Sequence, residues 1–211
     1  MKDKVIYRKM IKNRYEKESQ NSYSLGCGSN LSHLSIEQGE IILDLGCGRG
    51  EETILAARST GKNGFVHGLD ITPAMLAEAE KNAKAAGTLN VDFTVGDIEK
   101  LPYESNFFNA ATSNCVINHA RDKQQAYREI YRVLKPDGRF VVSDAVSVDP
   151  LPLSVKNDPE AWAQCYGGAV TEAEYLKAVS LAGFSSIETL NRREYLKNGF
   201  DFVSLTIKAY K

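Results

Sequence analysis

GEIILDLGCGRGEETILAARST, residues 39–60, decides the fold. Ile41, Ile42, Leu43 and Leu45 are apolar and rich in branching, which predicts a strand buried on both faces. Gly46, Gly48 and Gly50 then break the chain, and residues 51–60 carry helical spacing. A buried strand that passes through a glycine turn into a helix opens a parallel strand-helix-strand unit.

The alternation continues outward. FVHGLD (65–70) reads as a second strand, followed by a helix from Thr72 or Pro73 to Ala86, with Pro73 in its first turn and Gly87 at its stop. VDFTVGD (91–97) and NAATSNCVIN (109–118) read as strands three and four. Residues 121–134 form a strongly amphipathic helix that ends at Lys135-Pro136-Asp137-Gly138, and RFVVSDA (139–145) is strand five. Right-handed crossovers between such strands give a doubly wound α/β sheet covered on both faces. Residues 159–169 and 171–184 then read as helices, and 185–194 and 199–210 as two strands that close the sheet as a hairpin-like edge.

Lys and Arg crowd the first 17 residues, but Val5, Ile6, Met10 and Ile11 interrupt them as an amphipathic helix would. No linker-like stretch divides the chain. Residues 1–211 are therefore expected as one domain: an N-terminal helical cap or lid (1–39), a cofactor-binding core (40–145), and substrate-side helices with the closing strands (146–211).

Composition narrows the partners. With 211 residues, 43% hydrophobic and 25% charged, and a net charge of -1, nothing pulls the whole chain toward nucleic acid or a membrane. No run of 18 apolar residues and no signal-peptide core occur, so a cytoplasmic protein is expected. The four cysteines, Cys27, Cys47, Cys115 and Cys165, form no C-x-x-C pair. They fit neither a disulfide scaffold nor a structural zinc site, and are expected as free thiols in a reducing compartment.

In a doubly wound sheet, ligands settle at the carboxyl ends of the strands where strand order reverses. The first strand ends in Asp44 and the glycine turn, which offers bare backbone and a helix N-terminus to a ligand's carboxylate. The dinucleotide pattern G-x-G-x-x-G is not met: the third glycine comes one residue early, and Glu51-Glu52 would oppose a pyrophosphate. Asp70 closes strand two, where its carboxylate can accept both ribose hydroxyls, or else neighbour a helix cap. Asp97 closes strand three, placed for an adenine amine with Ile98 against the ring, or else as a turn aspartate. Together these strand ends predict S-adenosylmethionine, with Cys47, Ile71 and Asn114 at the same edge completing the set of contacts.

DLGCGRG, GLDITPAML, VGDIEKLPYESNFFNAATSN and REIYRVLKPDGRFVVSD resemble the motif series of class I methyltransferases across residues 40–145. The resemblance implies a seven-stranded, mostly parallel Rossmann-like sheet with an antiparallel last strand. It also implies that Asp44, Gly46, Gly48, Asp70, Asp97 and Ile98 contact the cofactor.

YSLGCGSN, SNCVINHARDKQQAYREIYRVLKPDG, KNDPEAWAQCYGGA and FDFVSLTIKAYK more narrowly resemble arsenite methyltransferases. That resemblance implies that Cys115 and Cys165 hold trivalent arsenic as thiolates, with Cys27 a candidate third ligand and a thiol reductant as partner. Gln164, Tyr166 and His119 depart from the family's pattern. One alternative therefore stays open: a small organic acceptor such as a quinone precursor, with His119 as general base. Another is a non-catalytic cofactor- or metalloid-binding protein. Trp162 and Tyr166, four apart on an expected helix, either wall the acceptor site or pack in the core.

Overall fold

A computed structural model describes residues 2–20 and 30–211, with side chains from residue 5 onward; Cys27 lies outside the described residues. The elements run α1 (Lys2–Glu18), α2 (Leu31–Leu34), β1 (Ile41–Leu45), α3 (Glu51–Thr60), β2 (Phe65–Asp70), α4 (Pro73–Ala85), β3 (Val91–Val95) and β4 (Phe108–Asn114). They continue with α5 (Lys123–Val133), β5 (Leu134–Ser147), α6 (Leu153–Lys156), α7 (Pro159–Ala163), α8 (Glu172–Leu181), β6 (Ser185–Lys197) and β7 (Phe200–Tyr210).

The seven strands lie in the order β3-β2-β1-β4-β5-β7-β6. The first five are parallel, and β7 runs antiparallel between β5 and β6. This is the Rossmann-like arrangement, with the last strand in sequence inserted one place in from the edge. Order reverses between β1 and β4, so the crevice at their carboxyl ends is where a ligand is expected.

Alternation along β1 explains why, Asp44 aside, it is apolar on both faces. Ile42 faces Ala56, Ala57 and Val66 on one side of the sheet, while Leu43 and Leu45 join Phe108, Tyr127, Ile130, Phe140 and Tyr175 on the other. On α5, Ala126, Tyr127, Ile130 and Val133 are buried at helical spacing, and Asp122 caps the helix by accepting from the Gln125 amide at 2.9 Å.

Several sequence expectations change: strand five, expected over 139–145, runs over Leu134–Ser147. The N-terminal helix forms, but Val5 and Ile6 are 66% and 51% exposed and its inner face is made by Tyr7 and Ile11. Strand four stops at Asn114 instead of reaching Asn118, because Cys115 turns to φ +58° and Ile117–His119 form a short 3-10 turn. The helix expected over 159–169 stops at Ala163, because Cys165 takes φ +67°. Tyr166 therefore lies beyond the helix that carries Trp162.

Candidate active site

The carboxyl ends of β1, β2, β3 and β4 surround an open cavity of about 1250 Å³ up to and including its mouth. Asp44, Gly46, Cys47, Gly48, Asp70, Ile71, Asp97, Ile98 and Asn114 all line it, together with Cys115 and His119. From above, α1 contributes Tyr7, Arg8, Ile11 and Tyr15.

The glycine turn is tight at one position and open at another. A Cβ on Gly46, which sits at φ +69°, would fall 2.2 Å from a Val116 methyl, so only glycine lets the turn pack under the loop after β4. A Cβ on Gly48 would meet nothing within 4 Å, leaving that backbone exposed to the cavity. Cys47 turns away: its sulfur packs near Gly68, and burial raises its thiol pKa well above the ordinary value.

Acidic side chains converge beside this turn. Burial, with the charges of Glu52 and Asp70, pushes Asp44 up to about 7, although the Thr53 hydroxyl donates to it at 2.6 Å. Glu52, on the first turn of α3, is also raised by burial and accepts from Asn114 Nδ2 at 3.1 Å. Asp70, raised by burial too, accepts from the backbone amides of Gly48 at 3.1 Å and Thr72 at 2.8 Å. Three carboxyls whose pKa values burial raises, grouped around a cavity, suit a cationic ligand that also bears hydroxyls. S-adenosylmethionine, with its sulfonium, ammonium and ribose, fits that donor set.

At the far side the cysteines meet. Cys165 Sγ donates to the Cys115 carbonyl at 3.0 Å, and one ligand atom from each of Cys115, Asp144 and Cys165 lies within 4.8 Å of the others. Cys115 is 6% exposed and lines the cavity; Asp144 and Cys165 lie just behind it. Glycines make the approach possible. A Cβ on Gly168 would sit 2.0 Å from the Asn118 carbonyl, and one on Gly167 would sit 2.6 Å from the Trp162 amide. Burial and the Asp144 charge push the Cys165 thiol up to about 12. Contrary to the expectation of free thiols, Cys115 is disulfide-bonded, so a reductant must release its sulfur before it can act as a ligand.

Residues 36–183 match the family model described as a methyltransferase domain. The chain belongs to that family. Among relatives of this methyltransferase, an arsenite methyltransferase of Halobacterium salinarum is 38% identical over 81% of this chain and 44% of its own length. That of Mus musculus is 32% identical over 97% of this chain and 58% of its own length. The chain thus spans about half the length of these curated relatives. The crystal structure of an arsenic(III) S-adenosylmethionine methyltransferase from Chlamydomonas reinhardtii superposes with a TM-score of 0.78 at 29% identity, covering 96% of this chain and 73% of that one. The methyltransferase is accordingly a class I S-adenosylmethionine-dependent enzyme related to the arsenite methyltransferases.

His119 stands apart from a general base in this methyltransferase. It is half-buried at the cavity wall, its Nε2 shares a 3.0 Å hydrogen bond with the Tyr15 hydroxyl, and desolvation with the Arg14 and Lys123 charges pushes its pKa down to about 3. A neutral imidazole tied to a neutral phenol is a fastening between α1 and the site, and a weak proton acceptor.

Sequence reasoning missed four site residues: Arg8, Tyr15, Lys123 and Asp144. Arg8 forms an ion pair with Asp97, the residue expected to receive the adenine amine. Lys123, pushed down to about 8 by burial, is the buried cation that faces Asp144. Asp144 had a legible signal, since it lies one residue before the expected end of strand five, just as Asp70 and Asp97 end strands two and three. The other three come from helices, and only the fold brings Arg8 and Tyr15 to the cavity and Lys123 within reach of Asp144.

Proposed function

We propose that this chain methylates trivalent arsenic, with S-adenosylmethionine as donor and Cys115 and Cys165 as the thiolates that hold the arsenic. The observation that carries the reading is the meeting of these two sulfurs, from separate segments, where Cys115 lines the cofactor cavity. Thiolates are soft donors that match a thiophilic centre, and an arsenic atom held by them keeps a lone pair for attack on a methyl group.

S-adenosylmethionine supplies an activated methyl group with its own leaving group. The chain's residues supply placement. Gly46 and Gly48 present backbone, Asp44, Glu52 and Asp70 present carboxyls to a cation and a ribose, and Asp97 and Ile98 stand at the adenine end. Asn114 holds Glu52 in place at 3.1 Å, and Cys47 and Ile71 wall the cavity. Alignment at about 3 to 3.5 Å without water then carries the rate. No general base is required, which agrees with a His119 held neutral by desolvation and the nearby Arg14 and Lys123 charges. The disulfide at Cys115 calls for a thiol reductant, and a reducing cytoplasm supplies one. Among the described residues, no helix is long and apolar enough to cross a membrane.

The test is turnover of arsenite by purified protein with S-adenosylmethionine and a thiol reductant, read as methylated arsenic. Cys115→Ser and Cys165→Ser should each lower turnover at least a hundredfold on the scale set by loss of a ligating or positioning group, about 10². Unchanged turnover in both variants, or methylation of a phenol with arsenite inert, would overturn the assignment.

A further inference from the structure

Where α7 ends decides where the Cys165 sulfur goes. A helix leaves its last four carbonyls without donors of its own, and in α7 these belong to Glu160, Ala161, Trp162 and Ala163. Three find backbone amides close by. Glu160 receives the Gln164 amide at 2.9 Å, Ala161 the amides of Tyr166 at 3.2 Å and Gly167 at 2.9 Å, and Trp162 the Cys165 amide at 3.0 Å. In a continued helix the amides of Gly167 and Gly168 would serve Ala163 and Gln164. The left-handed turn at Cys165, φ +67°, withdraws them, so both carbonyls must look elsewhere.

Two cations from distant parts of the chain meet them. Arg14, on α1, donates to the Ala163 carbonyl, and Lys197, the last residue of β6, donates to the Gln164 carbonyl at 2.9 Å. Both side chains are half-buried, and among the described residues each has that carbonyl as its one hydrogen-bond partner. Basic side chains commonly satisfy the last carbonyls of a helix, but from its own final turn. Here they come from outside the helix.

We propose that Arg14 and Lys197 are positioning residues for the acceptor site, capping α7 from outside and so holding the Cys165 turn in the conformation that brings its sulfur beside that of Cys115. The inference rests on the reading of Cys165 as an arsenic ligand. Left-handed backbone is strained for a residue other than glycine and persists only where its surroundings enforce it. Without the two caps the cheaper course is to run α7 on, which satisfies both carbonyls from Gly167 and Gly168 and turns the sulfur away from Cys115. The caps stay put because their own elements are anchored elsewhere. Tyr15, next to Arg14, is bonded to His119 at the cofactor cavity, and β6 is paired with β7 up to Lys197 itself.

The experiment titrates the reduced protein with arsenite by calorimetry. Arg14→Met and Lys197→Met keep the aliphatic stem and lose the donor, and each should bind arsenite about tenfold more weakly, the scale of one hydrogen bond from a charged group. Arg14→Lys and Lys197→Arg restore a donor and should recover most of that loss. In a Cys165→Ser background the methionine variants should cause no further loss, because no sulfur is left to aim. Unchanged affinity in both methionine variants, no recovery in either conservative variant, or an equal loss with and without Cys165 overturns the inference while the thiolate reading stands. Where Cys165→Ser binds arsenite too weakly to measure, S-adenosylmethionine affinity is the reference: it should hold in Lys197→Met, and a fall parallel to that of arsenite overturns the inference. Wild type that binds no arsenite overturns the thiolate reading and this inference with it.

Discussion

Asp70 carries the heaviest load of any single cofactor residue. One oxygen receives the Gly48 amide and the other the Thr72 amide, so the carboxylate is fixed in place and ties the glycine turn to the end of β2. The residue lines the cavity. Asp70→Ala should weaken S-adenosylmethionine binding about tenfold or more in calorimetry, the cost of one hydrogen bond to a charged group. An unchanged affinity would mean that the ribose lies elsewhere. At this scale the sequence was legible where chemistry recurs at strand ends: Asp44, Asp70 and Asp97 were found because a parallel strand always delivers its last residues to one edge. Arg8, Tyr15 and Lys123 were not, because the helical surface they occupy reads as ordinary amphipathic packing until the fold brings it to the site.

Helix α1 illustrates how an element can be predicted correctly and its role still be hidden. The sequence singled out Val5, Ile6, Met10 and Ile11; Ile11 faces inward as expected, but Val5 and Ile6 are exposed, and Tyr7 and Tyr15 complete the inner face. Arg121 lies between Tyr7 and Trp162, 4.1 and 4.4 Å from their ring centroids, and so clamps α1 to α7. Arg14 donates to the Ala163 carbonyl, and Arg8 pairs with Asp97. If Asp97 receives the adenine amine, Arg8 must first let go. Because Arg8 is partly exposed, the pair is worth at most about 1 kcal/mol. Arg8→Ala should therefore bind S-adenosylmethionine up to about fivefold more tightly, with faster association in stopped-flow; weaker binding would make Arg8 a cofactor contact instead of a competitor. Two of the elements whose ends were misjudged, β4 and α7, share one cause. Cys115 and Cys165 adopt left-handed backbone, which the sequence flags for glycine but not for cysteine. Those two turns are what carry the sulfurs toward each other.

Across the whole molecule, buried carboxyls make cofactor binding and pH interdependent. Asp44 and Asp144 are raised to about 7 by burial above all, against 3.8 for a free aspartate. Between those values the folded chain holds protons that the unfolded chain has released. Their contribution to stability is thus complete below about pH 4 and is lost as pH rises toward 7. His119 runs the other way. Pushed down to about 3, it is neutral in the fold while the unfolded histidine is charged, so its penalty shrinks as pH rises toward 6.5. The melting temperature of the unliganded protein mixes these opposed signs, whereas the increment from S-adenosylmethionine isolates the group that faces it. A cation in the cavity favours ionised Asp44, and below about pH 7 the ionised fraction falls about tenfold per unit. The rise in melting temperature at fixed S-adenosylmethionine should therefore be larger at pH 7.5 than at pH 5.5. Asp44→Asn keeps an acceptor for the Thr53 hydroxyl but has no proton to lose, so its increment should be smaller and nearly flat across the same interval. If wild type and Asp44→Asn show the same pH dependence, the carboxyl cluster beside the glycine turn does not face the cofactor's positive charge.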